Sequence, residues 1–205
     1  MPSCSNINAS KEKSRLTDSN KKDLSRYNNR GYSPGGGRLR HMLWYILNAT
    51  VFHSWLIPST TIKCMTLRAL GARVGTGVVI KPHVNIKYPW HLTIGDHVWI
   101  GEGVWIDNLV EVQLGSNVCL SQDAYLLTGN HDYKDPAFGL LTGTIKIDDG
   151  AWVGARAVVC PSVRVGTNAV ITVGSVLTKD ALPNGIYRGN PAEWTRDRLI
   201  RQEVG

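Results

Sequence analysis

Between residues 72 and 182 an aliphatic residue recurs every six positions, a period that neither an α-helix nor an alternating β-strand produces. All fifteen positions hold Val, Ile or Leu: Val74, Ile80, Ile86, Ile94, Ile100, Ile106, Leu114, Leu120, Leu126, Ile147, Val153, Val159, Val165, Ile171 and Leu177. In thirteen of the fifteen repeats a small or short aliphatic residue stands four positions later, with Trp90 and Asn130 as the exceptions. A six-residue repeat predicts one short strand and one turn, and three repeats close a triangular coil. The pattern therefore predicts an all-β domain over 72–182, a parallel β-helix with the aliphatic residues inside.

Glycine and the interruptions of the period refine this prediction. Glycine directly follows the aliphatic residue in six repeats, and we expect it there because it tolerates the backbone angles of a turn. These residues are Gly75, Gly95, Gly101, Gly115, Gly154 and Gly166. Two steps of eight residues fit enlarged corners, whereas the step from Leu126 to Ile147 spans 21 residues. The sequence thus predicts a loop over 127–146 that leaves the scaffold, and such loops often carry function.

The segment 38–71, ahead of the repeats, has a helical pattern. A first helix is predicted up to Pro58, and a second short helix over Ile62–Leu70, closed by Gly71. The apolar stripe of the first helix consists of Leu39, Leu43, Ile46, Leu47, Val51 and Trp55. The run Met42–Ile57 is shorter than the about 20 apolar residues that a membrane span needs. We expect this stripe to pack on the β-helix. The alternative is peripheral membrane contact through residues 38–57, which Trp44, Tyr45 and Trp55 favour.

Charge is concentrated at the start of the chain. The sequence carries 23 Lys and Arg against 16 Asp and Glu, a net charge of +7. Residues 1–40 hold nine basic and three acidic side chains, so they account for +6 of this charge and leave the rest nearly neutral. This distribution does not suit a nucleic-acid-binding domain. Residues 1–37 are polar and rich in Ser, Asn, Lys and Gly, which predicts a flexible, disordered basic leader. Residues 183–205 form a C-terminal tail.

Cysteine usage and the N-terminus bear on location. Four cysteines without a Cys-x-x-Cys pair argue against a disulfide framework or a zinc ribbon. Free thiols suit a reducing cytoplasm, and the polar first residues do not form a cleavable signal pattern. The expected location is therefore cytoplasmic, with contact at the inner face of the membrane as a further possibility.

Several blocks along the repeats resemble the hexapeptide-repeat acyltransferases, and in particular the sugar O-acetyltransferases. They are Ile94–Gly101, Thr128–Asp132, Ala151–Ala155, Gly174–Asp180 and Gly189–Ala192. The loop sequence His-Asp-Tyr-Lys-Asp-Pro-Ala-Phe is similar to that of colanic acid biosynthesis acetyltransferases. This resemblance implies a left-handed β-helix, a homotrimer with active sites between neighbouring chains, and transfer of an acetyl group from acetyl-CoA to a sugar hydroxyl. A role in exopolysaccharide or other surface-glycan biosynthesis follows from the same resemblance.

The resemblance makes His131 the catalytic base. A sugar hydroxyl must lose its proton as it attacks the thioester, and imidazole can accept that proton and pass it to the leaving thiolate. No acyl-enzyme is needed, so we expect a ternary complex. Asn130 or Asp132 is expected to orient the ring, with an Asx-turn as the alternative role of Asp132.

The resemblance also implies the binding residues. Backbone groups of Ala155 and Val173 would bind the pantetheine arm of acetyl-CoA, and Trp152 would line the site. Thr178, Lys179 and Arg196 are the candidates for the CoA phosphates, because charged donors suit phosphate. Glu193 stands where the family usually has a basic residue, for which Arg188 or Arg196 would compensate. The candidates for acceptor binding are Glu102, Asp107 and Asn108.

Three alternatives remain open at this point. An N-acetyltransferase acting on an amino sugar and a non-catalytic β-helix scaffold would use the same fold. A zinc carbonic anhydrase also occurs on this fold and needs three converging histidines. His131 has no other histidine within thirty residues, so we predict no metal site.

Overall fold

The computed structural model describes residues 21–29 and 31–200. The described residues divide into two compact units. One comprises residues 34–130 and 142–200 and contains the β-helix. The other comprises residues 21–29, 31–33 and 131–141. The first 20 residues of the predicted leader, which spans residues 1–37, lie outside the described residues.

The β-helix consists of three sheets whose parallel strands come from successive coils, and the second sheet ends in β19, which is antiparallel to β18. The first sheet contains β1 (Arg73–Val74), β4 (Leu92–Ile94), β7 (Val112–Leu114), β12 (Ile145–Ile147) and β15 (Arg164–Val165). The second contains β2 (Val79–Ile80), β5 (Trp99–Ile100), β8 (Cys119–Leu120), β13 (Trp152–Val153), β16 (Val170–Ile171), β18 (Gly185–Gly189) and β19 (Ala192–Asp197). The third contains β3 (Asn85–Ile86), β6 (Trp105–Asp107), β9 (Tyr125–Leu127), β14 (Val158–Val159) and β17 (Val176–Leu177).

The predicted inward positions are confirmed. Of the fifteen aliphatic residues all but Val74 are buried, and each pairs with its counterpart in the next coil. Leu114 pairs with Ile147, so most of the predicted loop lies outside the coil, whereas Leu127 at its start belongs to β9 and Ile145 and Lys146 at its end belong to β12. β10 (Gly129–His131) and β11 (Leu140–Thr142) form a separate two-stranded sheet in this stretch. The parallel β-helix expected from the repeat is therefore the fold of the chain.

The reason given above for glycine after the aliphatic residue is wrong. None of these six glycines is among the residues of positive φ. A Cβ at Gly95 would instead come within 2.7 Å of the Gly115 carbonyl carbon, and one at Gly154 within 2.7 Å of the Ile171 carbonyl oxygen. These glycines are needed because the backbones of neighbouring coils approach too closely for a side chain.

Positive φ occurs two residues further on, at the third position after the aliphatic residue. The residues there are Gly77, His83, His97, Gly103, Asn117, Asp123, Gly150, Arg156, Ser162, Asn168, Gly174 and Asn184. Glycine and asparagine adopt this left-handed conformation at low cost, but five of the twelve turns have His, Asp, Arg or Ser at this position. The geometry of the turn therefore imposes the positive φ at this position. Only some of the turns have glycine there.

The N-terminal helices cover the first coil. α1 spans Gly37–Leu47, continues as a π-helix over Asn48–Phe52, and is followed by α2 at Thr60–Ala69. Ser59 caps α2 by accepting the N–H of Ile62, and Gly71 closes it with a φ of +91°. The prediction that the apolar stripe of the first helix packs on the β-helix is only partly right. Leu39, Leu43, Ile46 and Trp55 are exposed, whereas Trp44, Val51, Phe52 and Leu67 are buried against the β-helix.

Side chains from these helices pair the carbonyl groups that the first coil leaves open. Along the β-helix neighbouring coils exchange backbone N–H···O=C bonds in both directions, as from Val79 to Val98 and from His97 to Thr76, so only the first-coil carbonyls that face away from the second coil need other donors. Arg68 donates to the carbonyls of Val74 and Gly75, Lys63 to those of Ile80 and Lys81, and the Trp44 indole to that of Ile86 at 2.9 Å. Lys63 is completely buried, and desolvation lowers the pKa of its ammonium group. All three sheets are capped in this way.

Candidate active site

His131 lies in the unit formed by residues 21–33, as far as they are described, and 131–141. Its ring stacks on Phe138 with centroids 4.2 Å apart and an interplanar angle of 6°. Tyr27 lies on the same ring at 5.7 Å, tilted by 59°. The Nδ1 atom is 3.0 Å from the carbonyl oxygen of Phe138. Two aromatic contacts and one hydrogen bond therefore hold the half-buried imidazole in one orientation.

The hydrogen bond to Phe138 decides which nitrogen of His131 can act as a base. A carbonyl oxygen only accepts, so Nδ1 carries the proton in this bond. In the neutral ring the basic lone pair is then on Nε2. This tautomer is the one that a general base needs, because Nε2 can accept a proton from a hydroxyl while Nδ1 stays held.

Two turns that follow His131 in the chain shape the loop. The Asp132 carboxylate accepts the N–H of Lys134 at 2.9 Å, which is an Asx-turn, the alternative role considered for this residue. Asp135 does the same for Ala137 at 2.9 Å. Asp23 donates its N–H to the Pro136 carbonyl at 2.9 Å, so part of the predicted leader contacts this loop. The carboxylate of Asp132 thus has a turn partner, and the described partner of the His131 ring nitrogen is a backbone carbonyl.

Thr128, which precedes this loop, is a buried polar residue in the β-helix unit. Its hydroxyl donates to the Asp107 carbonyl at 2.7 Å and accepts the N–H of Leu109 at 2.8 Å. Its own carbonyl accepts the N–H of Gly143 at 2.9 Å. These bonds fix the corner where the chain leaves the coil and the residue at which it returns, while Asn130, two residues later, is exposed.

The predicted cofactor residues lie at three places along the later coils. Trp152 is half exposed on β13, and its indole donates to the Ser121 hydroxyl at 2.8 Å. Ala155 and Val173 stand at the same corner of consecutive coils, where the Ala155 carbonyl accepts the N–H of Gly174 at 2.9 Å. These three residues therefore form one ridge of the β-helix, and Val173 is strongly exposed.

The phosphate candidates are not on this ridge. Thr178 and Lys179 are exposed at the corner after β17, and Arg196 is exposed on β19, opposite Ile186 of β18. Arg188 faces Glu193 across the same hairpin. Within one chain the structure thus brings Trp152, Ala155 and Val173 together and leaves the three phosphate candidates at two other positions.

The acceptor candidates divide between two corners of one coil. Glu102 is exposed beside a groove of about 290 Å³ that Trp99 and Ser121 also line. Asn108 is completely buried, and its amide binds the backbone of Lys87 and Tyr88 at 2.6 to 3.1 Å. Asn108 is therefore a structural residue of the enlarged corner in this chain and offers no atom to a ligand, which corrects its selection as an acceptor residue.

Asp107 is 9% exposed and has two partners within the chain. Its carboxylate lies 3.2 Å from the Lys87 ammonium. Burial, the negative charge of Asp107 and a hydrogen bond to it raise the pKa of Tyr125 to about 12. Tyr125 in turn stacks on the half-exposed Trp105 at 4.8 Å. Asp107 is thus held in an ion pair beneath an aromatic surface.

The described part of the chain has no cluster of side chains suited to bind a metal ion. No group of three His, Cys, Asp or Glu side chains within residues 21–29 and 31–200 is arranged to hold a metal ion. The same residues contain no helix of the length and apolar character that crossing a membrane requires.

Sequence reasoning missed the residues that position His131. Phe138, its carbonyl and Tyr27 lie outside the six-residue period, so no spacing signal pointed to them. Thr128 had a signal that was not used, because it occupies the same repeat position as Asn108, two residues after the inward aliphatic residue.

Comparison with known sequences shows which proteins the chain is similar to. The protein named colanic acid biosynthesis acetyltransferase WcaF, of Escherichia coli (strain K12), is 35% identical over 167 residues, covering 80% of this chain and 91% of that protein. The galactoside O-acetyltransferase of the same strain is 28% identical over 140 residues, covering 66% of each. No protein-family model matches the chain.

Solved structures of acetyltransferases have a similar fold. A hexapeptide-repeat-containing acetyltransferase from Vibrio cholerae has a TM-score of 0.71 at 22% identity, covering 79% of this chain and 92% of that one, a likeness of fold. A galactoside acetyltransferase in complex with coenzyme A has a TM-score of 0.69 at 25% identity, covering 78% and 80%. The chain therefore belongs to the hexapeptide-repeat acetyltransferases. Within them it is a relative of the colanic acid biosynthesis acetyltransferases, and the expected enzyme class, an acetyl-CoA-dependent O-acetyltransferase, is confirmed.

Proposed function

We propose that this enzyme transfers the acetyl group of acetyl-CoA to a hydroxyl group of a sugar or glycan, in the biosynthesis of an exopolysaccharide or another surface glycan. The observation that carries the proposal is the hydrogen bond from His131 Nδ1 to the Phe138 carbonyl. It leaves Nε2 as the basic atom of a ring that two aromatic side chains orient. The names of the relatives, for galactoside and colanic acid acetylation, support a sugar acceptor.

In the proposed mechanism, His131 accepts the proton of the acceptor hydroxyl as that oxygen attacks the thioester carbon. The tetrahedral intermediate then expels the CoA thiolate, which takes the proton back from the imidazolium, and the acetyl ester leaves. The proton thus passes from the hydroxyl to the thiolate within one ternary complex, and no covalent acyl-enzyme forms. Phe138 keeps the ring in position throughout by stacking and by accepting the Nδ1 hydrogen bond.

For acetyl-CoA we propose the ridge formed by Trp152, Ala155 and Val173. The Ala155 carbonyl already accepts a hydrogen bond from Gly174, so the pantetheine arm would meet backbone N–H groups and the Trp152 face. Exposed Thr178, Lys179 and Arg196 are the proposed partners of the phosphates. The separation of these residues within one chain fits a homotrimer of 22.6 kDa subunits, in which neighbouring chains complete each site.

For the acceptor we propose Glu102, beside its groove, and Asp107, whose aromatic neighbours offer faces for a sugar ring. Asn130 and Asp132 remain proposed as supports of the His131 loop. A cytoplasmic location at the inner face of the membrane would bring the enzyme to lipid-linked acceptors.

The test is the turnover of His131→Ala, measured as CoA thiol release with nucleotide sugars and lipid-linked oligosaccharides as acceptors. A positioned general base contributes about 10²- to 10⁴-fold, so kcat should fall by roughly that factor. The protein should remain folded, because His131 lies outside the aliphatic core. Matched amino sugars and their hydroxyl analogues in the same assay distinguish O-acetylation from N-acetylation.

His97→Asn is the matched control. His97 adopts a φ of +56° in a turn of the β-helix, and asparagine accepts that conformation. This variant should keep the activity of the wild-type enzyme. Full turnover in His131→Ala would exclude His131 as the base, and loss in both variants alike would point to damage of the fold.

A further inference from the structure

The first half of the chain has a long segment without any acidic residue. From Leu24 to Gly95 the sequence contains no Asp or Glu. The same stretch holds nine basic residues, namely Arg26, Arg30, Arg38, Arg40, Lys63, Arg68, Arg73, Lys81 and Lys87. It includes both N-terminal helices and the whole first coil of the β-helix. The two N-terminal helices and the first coil therefore carry basic and no acidic side chains, although Lys63 is buried and Arg73 and Lys87 pair with Glu111 and Asp107.

Helix α1 exposes the side that its pattern would usually bury. At 3.6 residues per turn the exposed residues of α1 fall in an arc of roughly 160°. The arc has Met42, Ile46 and Leu39 near its centre and Leu43 at the edge opposite Arg38, and these four apolar side chains are 45% to 76% exposed. Tyr45, 78% exposed, and Arg38 lie at one edge of the arc.

The segment after α1 adds to this surface. Trp55 is 60% exposed and Leu56 is 91% exposed. His53, at the start of this segment, lines the same groove as Met42 and Tyr45, so the two exposed regions adjoin. We call Leu39, Met42, Leu43, Ile46, Trp55 and Leu56 the N-terminal apolar surface. Soluble proteins rarely expose so many large apolar side chains in one place without a partner.

We infer that the N-terminal apolar surface binds an anionic lipid surface, with the apolar side chains in the interface and the basic residues at the headgroups. Apolar residues flanked by Trp, Tyr and Arg, without acids, have the composition of helices that lie in a membrane interface. The exposed Arg38, on a helix without acidic residues, is complementary to anionic headgroups, and each nearby basic residue strengthens binding by about fivefold, corresponding to about 1 kcal/mol.

The helix is able to serve this role without unfolding. Trp44 on its opposite side is 3% exposed and hydrogen-bonded to the first coil. Phe52 is completely buried and packs edge-on against Trp44 at 5.2 Å. The buried side thus fixes the helix on the β-helix, and the exposed side can enter lipid without loss of a structural contact.

The inference deepens the proposed location at the membrane and rests on the proposed function for its biological use. The experiment is co-sedimentation of the full chain with vesicles of phosphatidylcholine, with and without phosphatidylglycerol, in the absence of acetyl-CoA. Binding should require phosphatidylglycerol and weaken as salt is raised. In Leu43→Gln/Ile46→Gln the affinity should fall by roughly tenfold per side chain, and in Arg38→Gln by about fivefold.

The matched control is Leu182→Gln/Leu199→Gln. These residues are 68% and 90% exposed but lie in the last coil and beyond it, so vesicle binding should not change. Absence of vesicle binding, or equal binding to vesicles of phosphatidylcholine alone, would overturn the inference. So would a Leu43→Gln/Ile46→Gln variant that binds vesicles like the wild type.

A second copy of the chain is the other occupant that the experiment separates. The inference fails if the wild type does not bind vesicles and Leu43→Gln/Ile46→Gln lowers the molecular mass of the protein in sedimentation equilibrium. The surface is then a subunit interface. Thiol release in solution is measured in parallel. Activity without vesicle binding would refute only the membrane surface, and vesicle binding without acetyl transfer would refute only the proposed function.

Discussion

Phe138 should matter for catalysis although it does no chemistry of its own. Its ring lies parallel to His131 at 4.2 Å, and its carbonyl receives the Nδ1 hydrogen bond. Phe138→Ala removes the ring and keeps the carbonyl. Because alanine also has a Cβ, the steric cost of the φ of +55° at this position stays about the same. The variant therefore removes the stacked ring, together with the contact of that ring with the Lys22 ammonium, which lies 3.0 Å from its centroid.

The size of the effect follows from the stacking energy. An aromatic pair of this kind contributes about 0.5–1.5 kcal/mol, so without it the productive ring orientation should become roughly two- to thirteenfold less populated. We expect kcat of Phe138→Ala to fall by this factor, with little change in the KM for acetyl-CoA. The loss should remain well below that of His131→Ala, because the tautomer is still set by the carbonyl. Steady-state thiol release measures both parameters.

Two further variants make this test decisive. Phe138→Tyr keeps the stacked ring and should restore turnover, whereas Tyr133→Ala, on an 81% exposed residue of the same loop, should have no effect. A Phe138→Ala variant as inactive as His131→Ala would mean that the side chain does more than hold the ring. Unchanged turnover would mean that the Phe138 ring does not position His131.

Two other predictions concern the cap of the β-helix and the cofactor. Trp44→Phe leaves the buried Ile86 carbonyl without its indole donor and should lower the free energy of unfolding by about 1–3 kcal/mol in urea. Trp55→Phe, at a 60% exposed site, is its control and should change stability by less than about 0.5 kcal/mol. Lys179→Ala should raise the KM for acetyl-CoA by roughly three- to tenfold and leave the KM for the acceptor unchanged, because an exposed charge acts on a remote phosphate. A change in the acceptor KM alone would contradict the proposed placement of the cofactor.

The six-residue period was sufficient to predict the fold because it results from a local rule that every coil repeats. Each inward aliphatic residue packs on its counterpart one coil away, so the positions of Ile100 and Leu120 follow from counting. The same counting located the loop, since Leu114 and Ile147 still had to pair. Where the reasoning depended on glycine it failed, because the spacing does not distinguish a left-handed turn from a close approach of two backbones.

The parts of the site that the sequence did not predict depend on contacts without a period. Phe138 reaches His131 through the particular path of one loop, and Tyr27 reaches it from the far end of the chain. The apolar stripe of α1 had the right spacing, but periodicity alone does not indicate which of two apolar sides is buried. The structure buries Trp44 because its indole matches an open carbonyl of the first coil.

The capping of the first coil also bears on how molecules of this protein can associate. A stack of parallel coils has an edge with unpaired backbone N–H and C=O groups at each end, and such edges allow head-to-tail pairing with another molecule. The last coil, as described, finishes in an antiparallel hairpin of β18 and β19, which changes the direction of pairing. Lys63, Arg68 and Trp44 occupy the opposite end. With both ends occupied, the pairing of coils cannot continue from one molecule to the next and stays within a single chain.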